Sequence, residues 1–220
     1  MNKKYALSGI IGGICFEIAD YFLFLSPDLL HTDPDPAWLS MGNYRFMISA
    51  YLGLFGSILL LLGFISLYRM VKKTCSKNVC RFSFLGAGGI TGICLAHFNI
   101  GCLSPLIYKS LLNRGYDSEV YLDLVKDLSE QLAPLSYLII ALFYTQLIVI
   151  VYGTVSGRFR IPKMLLIKII LATVLLSVIQ NIVLSFFGIR GALGGMESLF
   201  EGMLYIVPYQ YWRKHEDICD

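Results

Sequence analysis

Carboxylate side chains interrupt two otherwise apolar stretches of this 220-residue chain. Glu17 and Asp20 lie in the first stretch, and Glu197 and Glu201 lie in the last. An ionised acid at the centre of a membrane helix costs about 2.5–3.5 kcal/mol. Such groups are therefore paired, protonated, hydrated or bound to a cation, and they commonly mark functional sites. The chemistry open to them is binding of a proton or cation, or general acid and base catalysis.

Two cationic side chains can balance these acids. Arg45 lies at the start of the second apolar stretch, and His97 lies within the third. Because four carboxylates outnumber these two groups, we expect the excess to hold a proton or a metal cation. The structural alternative is an ion pair of Glu17 and Asp20 with Arg45 that serves assembly alone.

The elements that position these residues are apolar stretches long enough to cross a membrane. About 20 apolar residues are needed to cross the hydrocarbon core as an α-helix. Six stretches qualify, at about 5–25, 44–68, 82–107, 134–155, 162–187 and 193–212. Only 15% of the residues are charged, against about a quarter in soluble domains, so a polar surface is lacking. We predict an all-α, polytopic membrane helix bundle that forms a single integral membrane domain over residues 1–220.

The distribution of Lys and Arg predicts the orientation of this bundle, because these residues are enriched in cytoplasmic segments. An N-terminus inside the cell places twelve of them in the cytoplasm and five outside. The twelve are Lys3, Lys4, Arg69, Lys72, Lys73, Lys77, Arg81, Arg158, Arg160, Lys163, Arg213 and Lys214. The five are Arg45, Lys109, Arg114, Lys126 and Arg190. We therefore predict a protein of the cell membrane with both termini in the cytoplasm and membrane lipids as partners.

Helix direction also assigns a depth to the polar residues inside the predicted spans. Most of the strongly polar groups fall in the outer half of the bundle, and each span carries one polar stripe. We predict an acidic cavity there that binds a small molecule or cation. The candidate residues are Glu17, Asp20, Arg45, His97, Asn99, Gln180, Asn181, Glu197, Glu201 and Tyr205. Gln180 and Asn181 are expected to form hydrogen bonds between helices.

The connector at residues about 116–132 predicts a further element. Its apolar residues recur at helical spacing, while its acids lie elsewhere on the turn. The apolar set is Tyr121, Leu124, Val125, Leu128 and Leu132. This pattern is typical of a short amphipathic helix on the outer membrane face, with Pro134 beginning the next span.

Composition limits the other partners. The net charge of +3 is too small to favour nucleic acid. None of the six cysteines pairs obviously with another in an oxidising compartment, so we predict no structural disulfide. No cofactor is predicted, and no metal site is indicated firmly. The oligomeric state stays open.

Three segments carry a resemblance. GGICFEIADYF, GNYRFMISAYLGLFGS and ESLFEGMLYIVPYQYW begin at residues 12, 42 and 197. They resemble a family of small bacterial six-helix membrane proteins classed as a domain of unknown function. The resemblance implies a six-helix fold over nearly the whole chain, and it implies no activity.

Three classes of function stay open. The first is a protein that binds or transports a small cation, a proton or an amphiphile in the outer cavity. The second is an intramembrane, hydrolase-like enzyme that modifies a lipid with carboxylates and His97, although no Ser-His-Asp, HExxH, Walker A or GxGxxG motif is present. The third is a structural or accessory membrane protein whose polar layer only holds the helices together.

Overall fold

The computed structural model describes residues 1–24, 39–186 and 196–216. All regular secondary structure in these ranges is helical, which confirms the predicted all-α class for the described chain. The helices are α1 (Asn2–Phe24), α2 (Asn43–Thr74), α3 (Lys77–Ala96), α4 (Ser104–Asn113), α5 (Ser118–Val155), α6 (Lys163–Phe186), α7 (Met196–Leu204) and α8 (Ile206–Glu216). A π-helical segment, His97–Leu103, joins α3 to α4 without a break.

Five helical stretches within the described residues are long and apolar enough to cross a membrane. They are Asn2–Leu23, Asn43–Thr74, Lys77–Asn113, Glu130–Val155 and Lys163–Leu184. These stretches coincide with the first five predicted spans. Large apolar side chains such as Leu54 and Leu171 are exposed on their outer faces. This arrangement is compatible with a membrane-embedded protein, because lipid tails can cover such faces.

The last predicted span, 193–212, is broken in the structure. The helix stops at Leu204, and α8 begins at Ile206. Pro208 has no backbone N–H to donate to the carbonyl group of Leu204, four residues earlier. At the break, the Tyr205 N–H donates to the carbonyl oxygen of Gly202 at 3.1 Å, a tighter turn than an α-helix. The described chain therefore has five long candidate spans and a broken sixth segment.

The predicted amphipathic helix is not a separate element. Residues about 116–132 are helical from Ser118 onward, but they continue into the next span as the single helix α5. Asp117 caps its start by accepting a hydrogen bond from the Glu119 N–H at 2.9 Å. Pro134 lies inside the helix without ending it, because a missing N–H removes only one bond of a long hydrogen-bonded series. The separate outer helix was therefore a wrong division of one longer helix.

Close backbone contacts hold α1 against two neighbours. A Cβ atom added to Gly13 would lie 2.4 Å from the Cα atom of Gly202 on α7. A Cβ atom on Gly63 of α2 would lie 2.5 Å from the Cα atom of Gly9. Small residues allow this approach, as they commonly do between membrane helices. The contacts bring the acidic half of α1 against α2 and α7.

Replacing Gly13 with alanine should therefore destabilise the protein. The new methyl group would meet backbone atoms that cannot rotate away, and overpacking of this kind costs about 1–3 kcal/mol. Gly88→Ala is the matched control, because the nearest atom to its added Cβ would be Leu142 Cδ1 at 3.8 Å. We expect the control to be neutral or stabilising, since alanine favours a helix by up to about 1 kcal/mol over glycine. Thermal unfolding of both variants in detergent is the measurement, and equal midpoints would contradict the prediction.

One end of the bundle gathers the start of α1, the last third of α2 and α8. The Ser66 hydroxyl donates to the carbonyl oxygen of Asn2 at 2.9 Å, and Trp212 Nε1 donates to the carbonyl oxygen of Ser66 at 3.2 Å. Arg69 also donates to Asn2 Oδ1 at 2.7 Å. The first and last described helices therefore approach each other at this end, whereas Asp20 lies toward the other end of α1.

Candidate functional site

Asp20 and His97 form a buried pair between α1 and the π-helical segment. Asp20 Oδ1 lies 3.0 Å from His97 Nδ1, and the two side chains are only 8% and 6% exposed. A buried carboxylate without a partner would be strongly destabilising, so the imidazole offsets its desolvation. The partner of Asp20 is thus His97, whereas the structural alternative from the sequence paired it with Arg45.

Ser49 of α2 determines where one hydrogen of His97 lies. His97 Nε2 is 3.0 Å from Ser49 Oγ and 3.3 Å from the carbonyl oxygen of Ser49. A carbonyl oxygen only accepts, and the Ser49 hydroxyl already donates to the carbonyl oxygen of Ala19 at 2.8 Å. Nε2 is therefore a donor. One further proton is then shared between His97 Nδ1 and Asp20, either as an ion pair or as a neutral pair.

The surroundings fix the imidazole ring in place. The Phe16 ring lies against it with centroids 4.7 Å apart. A Cβ atom on Gly53 would lie 2.6 Å from His97 Cδ2, so only glycine leaves room for the ring. These contacts explain why α2 carries glycine at this level.

His97 begins the π-helical segment, and the sequence provides a reason for that segment. Pro105 follows it and cannot donate to the carbonyl group of Gly101. The residue before this proline, Ser104, donates its N–H to the carbonyl oxygen of Asn99, five residues earlier rather than the four of an α-helix. Such π-helical turns shift the following side chains around the helix and occur frequently at functional sites.

Ser198 of α7 completes the contacts of Asp20. Its hydroxyl donates to Asp20 Oδ2 at 3.1 Å. Ser49 and Ser198 were not among the predicted site residues, because a serine in an apolar helix commonly donates to its own helix. Ser57 does so, with its hydroxyl 2.8 Å from the carbonyl oxygen of Gly53. The bonds that Ser49 and Ser198 make between helices depend on tertiary packing, which local sequence does not reveal.

Glu17 and Arg45 lie next to this pair and take other partners. The Tyr21 hydroxyl donates to Glu17 Oε1 one turn along α1. Arg45 Nε donates to the carbonyl oxygen of Phe22 at 3.0 Å, near the end of α1. A cation at a helix C-terminus is favourable, because carbonyl groups there lack helical partners. A shallow surface depression nearby is lined by Tyr21, Phe22, Tyr44 and Arg45.

Glu201 belongs to a second buried cluster. The Tyr205 hydroxyl lies 2.6 Å from Gln146 Oε1 and 3.2 Å from Glu201 Oε1. All three residues are buried, and Gln146 connects α5 to α7. Gln146 Nε2 has no hydrogen-bond acceptor among the described residues. Buried donors are rarely left unpaired in native proteins, so this amide group is the one unsatisfied donor of the cluster in the described part of the chain.

The comparisons with known proteins identify a family. Residues 1–215 match the model of a family described as "Family of unknown function (DUF6796)". The chain belongs to DUF6796. No curated protein matches the DUF6796 chain, and no solved structure matches it. The match agrees with the predicted resemblance to a family without an assigned function.

The remaining predicted site residues of this DUF6796 chain are not among the side chains that form the two clusters. Asn99 is exposed on the surface of the π-helical segment. Asn181 Nδ2 donates to the carbonyl oxygen of Ser177 at 2.8 Å, a bond within α6 rather than the expected bond between helices. Gln180 is half-buried on α6. The side chain of Glu197 lies outside the described residues.

Three of the four acids predicted for the site, Glu17, Asp20 and Glu201, are therefore buried, but they have separate partners. Glu17 contacts Tyr21, Asp20 contacts His97, and Glu201 contacts Tyr205. The chemistry that this arrangement offers is transfer of a proton between the members of each hydrogen-bonded pair. Within residues 1–24, 39–186 and 196–216, no three His, Cys, Asp or Glu side chains are grouped closely enough to hold a metal ion.

Proposed function

We propose that this DUF6796 protein crosses the cell membrane six times, with both termini in the cytoplasm. Five long apolar helices support this topology, and α7 with α8 forms the sixth crossing as a broken helix. If stacked end to end, residues 196–212 would extend roughly 25 Å, close to the thickness of about 30 Å of the hydrocarbon core. A break is tolerated in membranes where neighbouring helices satisfy the freed backbone groups. The contacts of Asn2 and Trp212 with Ser66 agree with termini on the same side.

Within this topology, we infer that the Asp20–His97 pair binds a proton and that the protein belongs to the binding or transport class. The observation that carries this proposal is the 3.0 Å contact between Asp20 Oδ1 and His97 Nδ1 away from solvent. Because Nε2 already donates to Ser49, the proton between Asp20 and His97 is the one that can be exchanged. Ionisable residues inside membrane proteins frequently form proton relays of this kind.

A proton fits this position better than a metal cation does. Both carboxyl oxygens of Asp20 already have partners in the structure: Oδ1 shares a proton with His97, and Oδ2 accepts a hydrogen bond from Ser198. A metal ion would need several such oxygens at once, whereas a proton needs one donor and one acceptor. The depression beside Tyr21 and Arg45 offers a route by which water or a small ligand could approach α1.

The enzyme alternative rests on a specific likeness. Asp20, His97 and Ser49 follow one another at hydrogen-bond distances, as the members of a hydrolytic triad do. In a triad, however, the imidazole nitrogen accepts the serine proton, whereas here it donates to Ser49. The Ser49 hydroxyl is also fully buried and donates to Ala19. The hydrogen-bond directions therefore favour proton binding over nucleophilic catalysis.

Proton movement in proteoliposomes tests the proposal. The full-length protein would be reconstituted with a pH-sensitive dye inside the vesicles, and an external pH step would be applied. We expect Asp20→Asn to slow proton entry at least about tenfold, because the exchanging carboxylate is lost from the relay. Asp127→Asn, an exposed acid on α5, is the control and should behave as the unaltered protein does.

Three results would separate the alternatives. Equal rates of proton entry into empty vesicles and into vesicles with the unaltered protein would exclude proton transport. A purely structural role would change the stability of Asp20→Asn but leave proton entry unchanged. Labelling of Ser49 by a fluorophosphonate, lost in Ser49→Ala, would instead support the hydrolase.

A further inference from the structure

A basic depression lies at the turn between α2 and α3. Three cationic side chains from the two helices line it, together with one aromatic residue and two thiols. The lining residues are Tyr68, Lys72, Cys75, Lys77, Cys80 and Arg81. Its volume is about 520 Å³, within the range of roughly 300–1,000 Å³ that is typical of small-molecule sites.

The positive charge of the basic depression is not balanced within the described chain. Lys72, Lys77 and Arg81 are exposed and form no ion pair with a described residue. Neighbouring cations behave differently: Lys73 lies 4.8 Å from the centre of the Trp212 ring, and Arg69 donates to Asn2. The three lining cations thus stay available for an external anion, whereas the adjacent ones are used in packing.

The position of the basic depression indicates where that anion comes from. Its two walls are the last turns of α2 and the first turns of α3, which continue into the candidate spans Asn43–Thr74 and Lys77–Asn113. The depression therefore lies where the spans leave the hydrocarbon core, at the level of lipid head groups. Half-buried Tyr68 and buried Cys80 give it a partly apolar floor. Basic groups at this level commonly bind anionic lipids.

The geometry points to a binding site for a phosphate group carried by an anionic phospholipid head group. The Arg81 guanidinium can donate two parallel hydrogen bonds to phosphate oxygens, while Lys72 and Lys77 act as point charges. The inference uses the membrane embedding from the proposed function, but it does not depend on proton binding by Asp20. Its failure and the failure of the proton site can therefore be told apart.

Lipid titration of the full-length protein in detergent tests this site, with binding followed by native mass spectrometry. The probes are phosphatidylglycerol, phosphatidylcholine and inorganic phosphate, each added separately. Two triple variants remove equal charge from exposed positions. The test variant is Lys72→Gln, Lys77→Gln and Arg81→Gln, and the control variant is Lys4→Gln, Arg158→Gln and Lys163→Gln.

We expect phosphatidylglycerol to bind most tightly to the unaltered protein. The test variant should lose at least about tenfold in that affinity, since each cation near a membrane surface contributes up to about fivefold. The control variant should lose less than about twofold, and Arg81→Lys should fall between the two because it keeps charge but not the planar fork. Each variant would first be checked for a single species in size-exclusion chromatography, and single replacements would substitute for an unstable triple.

Several results would overturn the inference. Equal losses in the two triple variants would mean that only general surface charge attracts the lipid. Equal affinity for phosphatidylcholine would exclude selection by net charge. Binding of inorganic phosphate at the same concentration, with no preference for phosphatidylglycerol, would identify a soluble anion and exclude the lipid head group.

Discussion

Replacing Asp20 with alanine is expected to lower the free energy of unfolding by about 3–5 kcal/mol, because removal of one partner from a buried pair leaves the other without compensation. His97 Nδ1 would lose its contact at 3.0 Å, and the Ser198 hydroxyl would lose its acceptor at 3.1 Å. The measurement is unfolding in mixed micelles, followed by circular dichroism and compared at the same protein-to-detergent ratio. Asp127→Ala makes the same chemical change at an exposed position of α5 and should alter stability by less than about 0.5 kcal/mol.

A double variant measures the interaction between Asp20 and His97 separately from the contribution of each side chain alone. Asp20→Asn with His97→Gln replaces both groups by neutral amides, so neither partner is left as an unpaired charge. We expect the double variant to be more stable than the sum of its two single variants implies, with a coupling of about 0.5–3 kcal/mol. Additive single effects, or an Asp20→Ala variant as stable as Asp127→Ala, would show that the contact contributes nothing to the fold.

The second large effect is expected at Tyr205. Removing its hydroxyl in Tyr205→Phe leaves Gln146 Oε1 and Glu201 Oε1 without their shared donor, in a region that water does not reach. Each buried polar group left unpaired costs about 1–3 kcal/mol, so we expect a loss of about 2–4 kcal/mol. The measurement is the same mixed-micelle unfolding, and Tyr137→Phe on the exposed surface of α5 is the control.

The substitution Glu201→Gln distinguishes the effect of charge on stability from the effect of hydrogen bonding in the same cluster. The amide keeps an oxygen that can accept from Tyr205, so stability should change by less than about 1 kcal/mol if Glu201 is already neutral. A larger gain in stability would mean that an ionised Glu201 is held in the bundle at a cost. If Tyr205→Phe were as stable as Tyr137→Phe, the cluster would not be a structural unit.

These expectations depend on contacts that the sequence indicated only in part. The acids inside apolar stretches were recognised because charge is conspicuous in such surroundings, and Glu17, Asp20 and Glu201 are indeed buried. The sequence named Arg45 and His97 as the cations that could balance these acids, but it did not assign a cation to each acid. In the structure, Arg45 donates to carbonyl groups near the end of α1, and His97 pairs with Asp20.

The third predicted span shows why the interior face of a helix is hard to assign. Gly88, Gly92, Ala96 and Asn99 recur at helical spacing in this span, and this pattern of small and polar residues predicts that they face the interior. Gly88 and Asn99 are nevertheless exposed. The buried face contains Gly86 and Gly89, and a Cβ on Gly89 would lie 2.2 Å from the backbone of Phe143 on α5. Both stripes have small residues, so composition does not show which one is buried. The position of α5 decides that the stripe with Gly86 and Gly89 is buried.

The sequence by itself determined the class of this protein: apolar stretches of membrane-spanning length form helices, because each helix satisfies its own backbone hydrogen bonds and hydropathy is a local property. The sequence also shows prolines at 134 and 208, but it does not show their effects. Only the structure showed that α5 continues through Pro134, whereas the last helical segment breaks before Pro208. Tertiary packing alone decided the pairs Asp20–His97 and Tyr205–Gln146. Those contacts depend on the rotation and depth of helices distant in sequence, and no spacing along one helix encodes them.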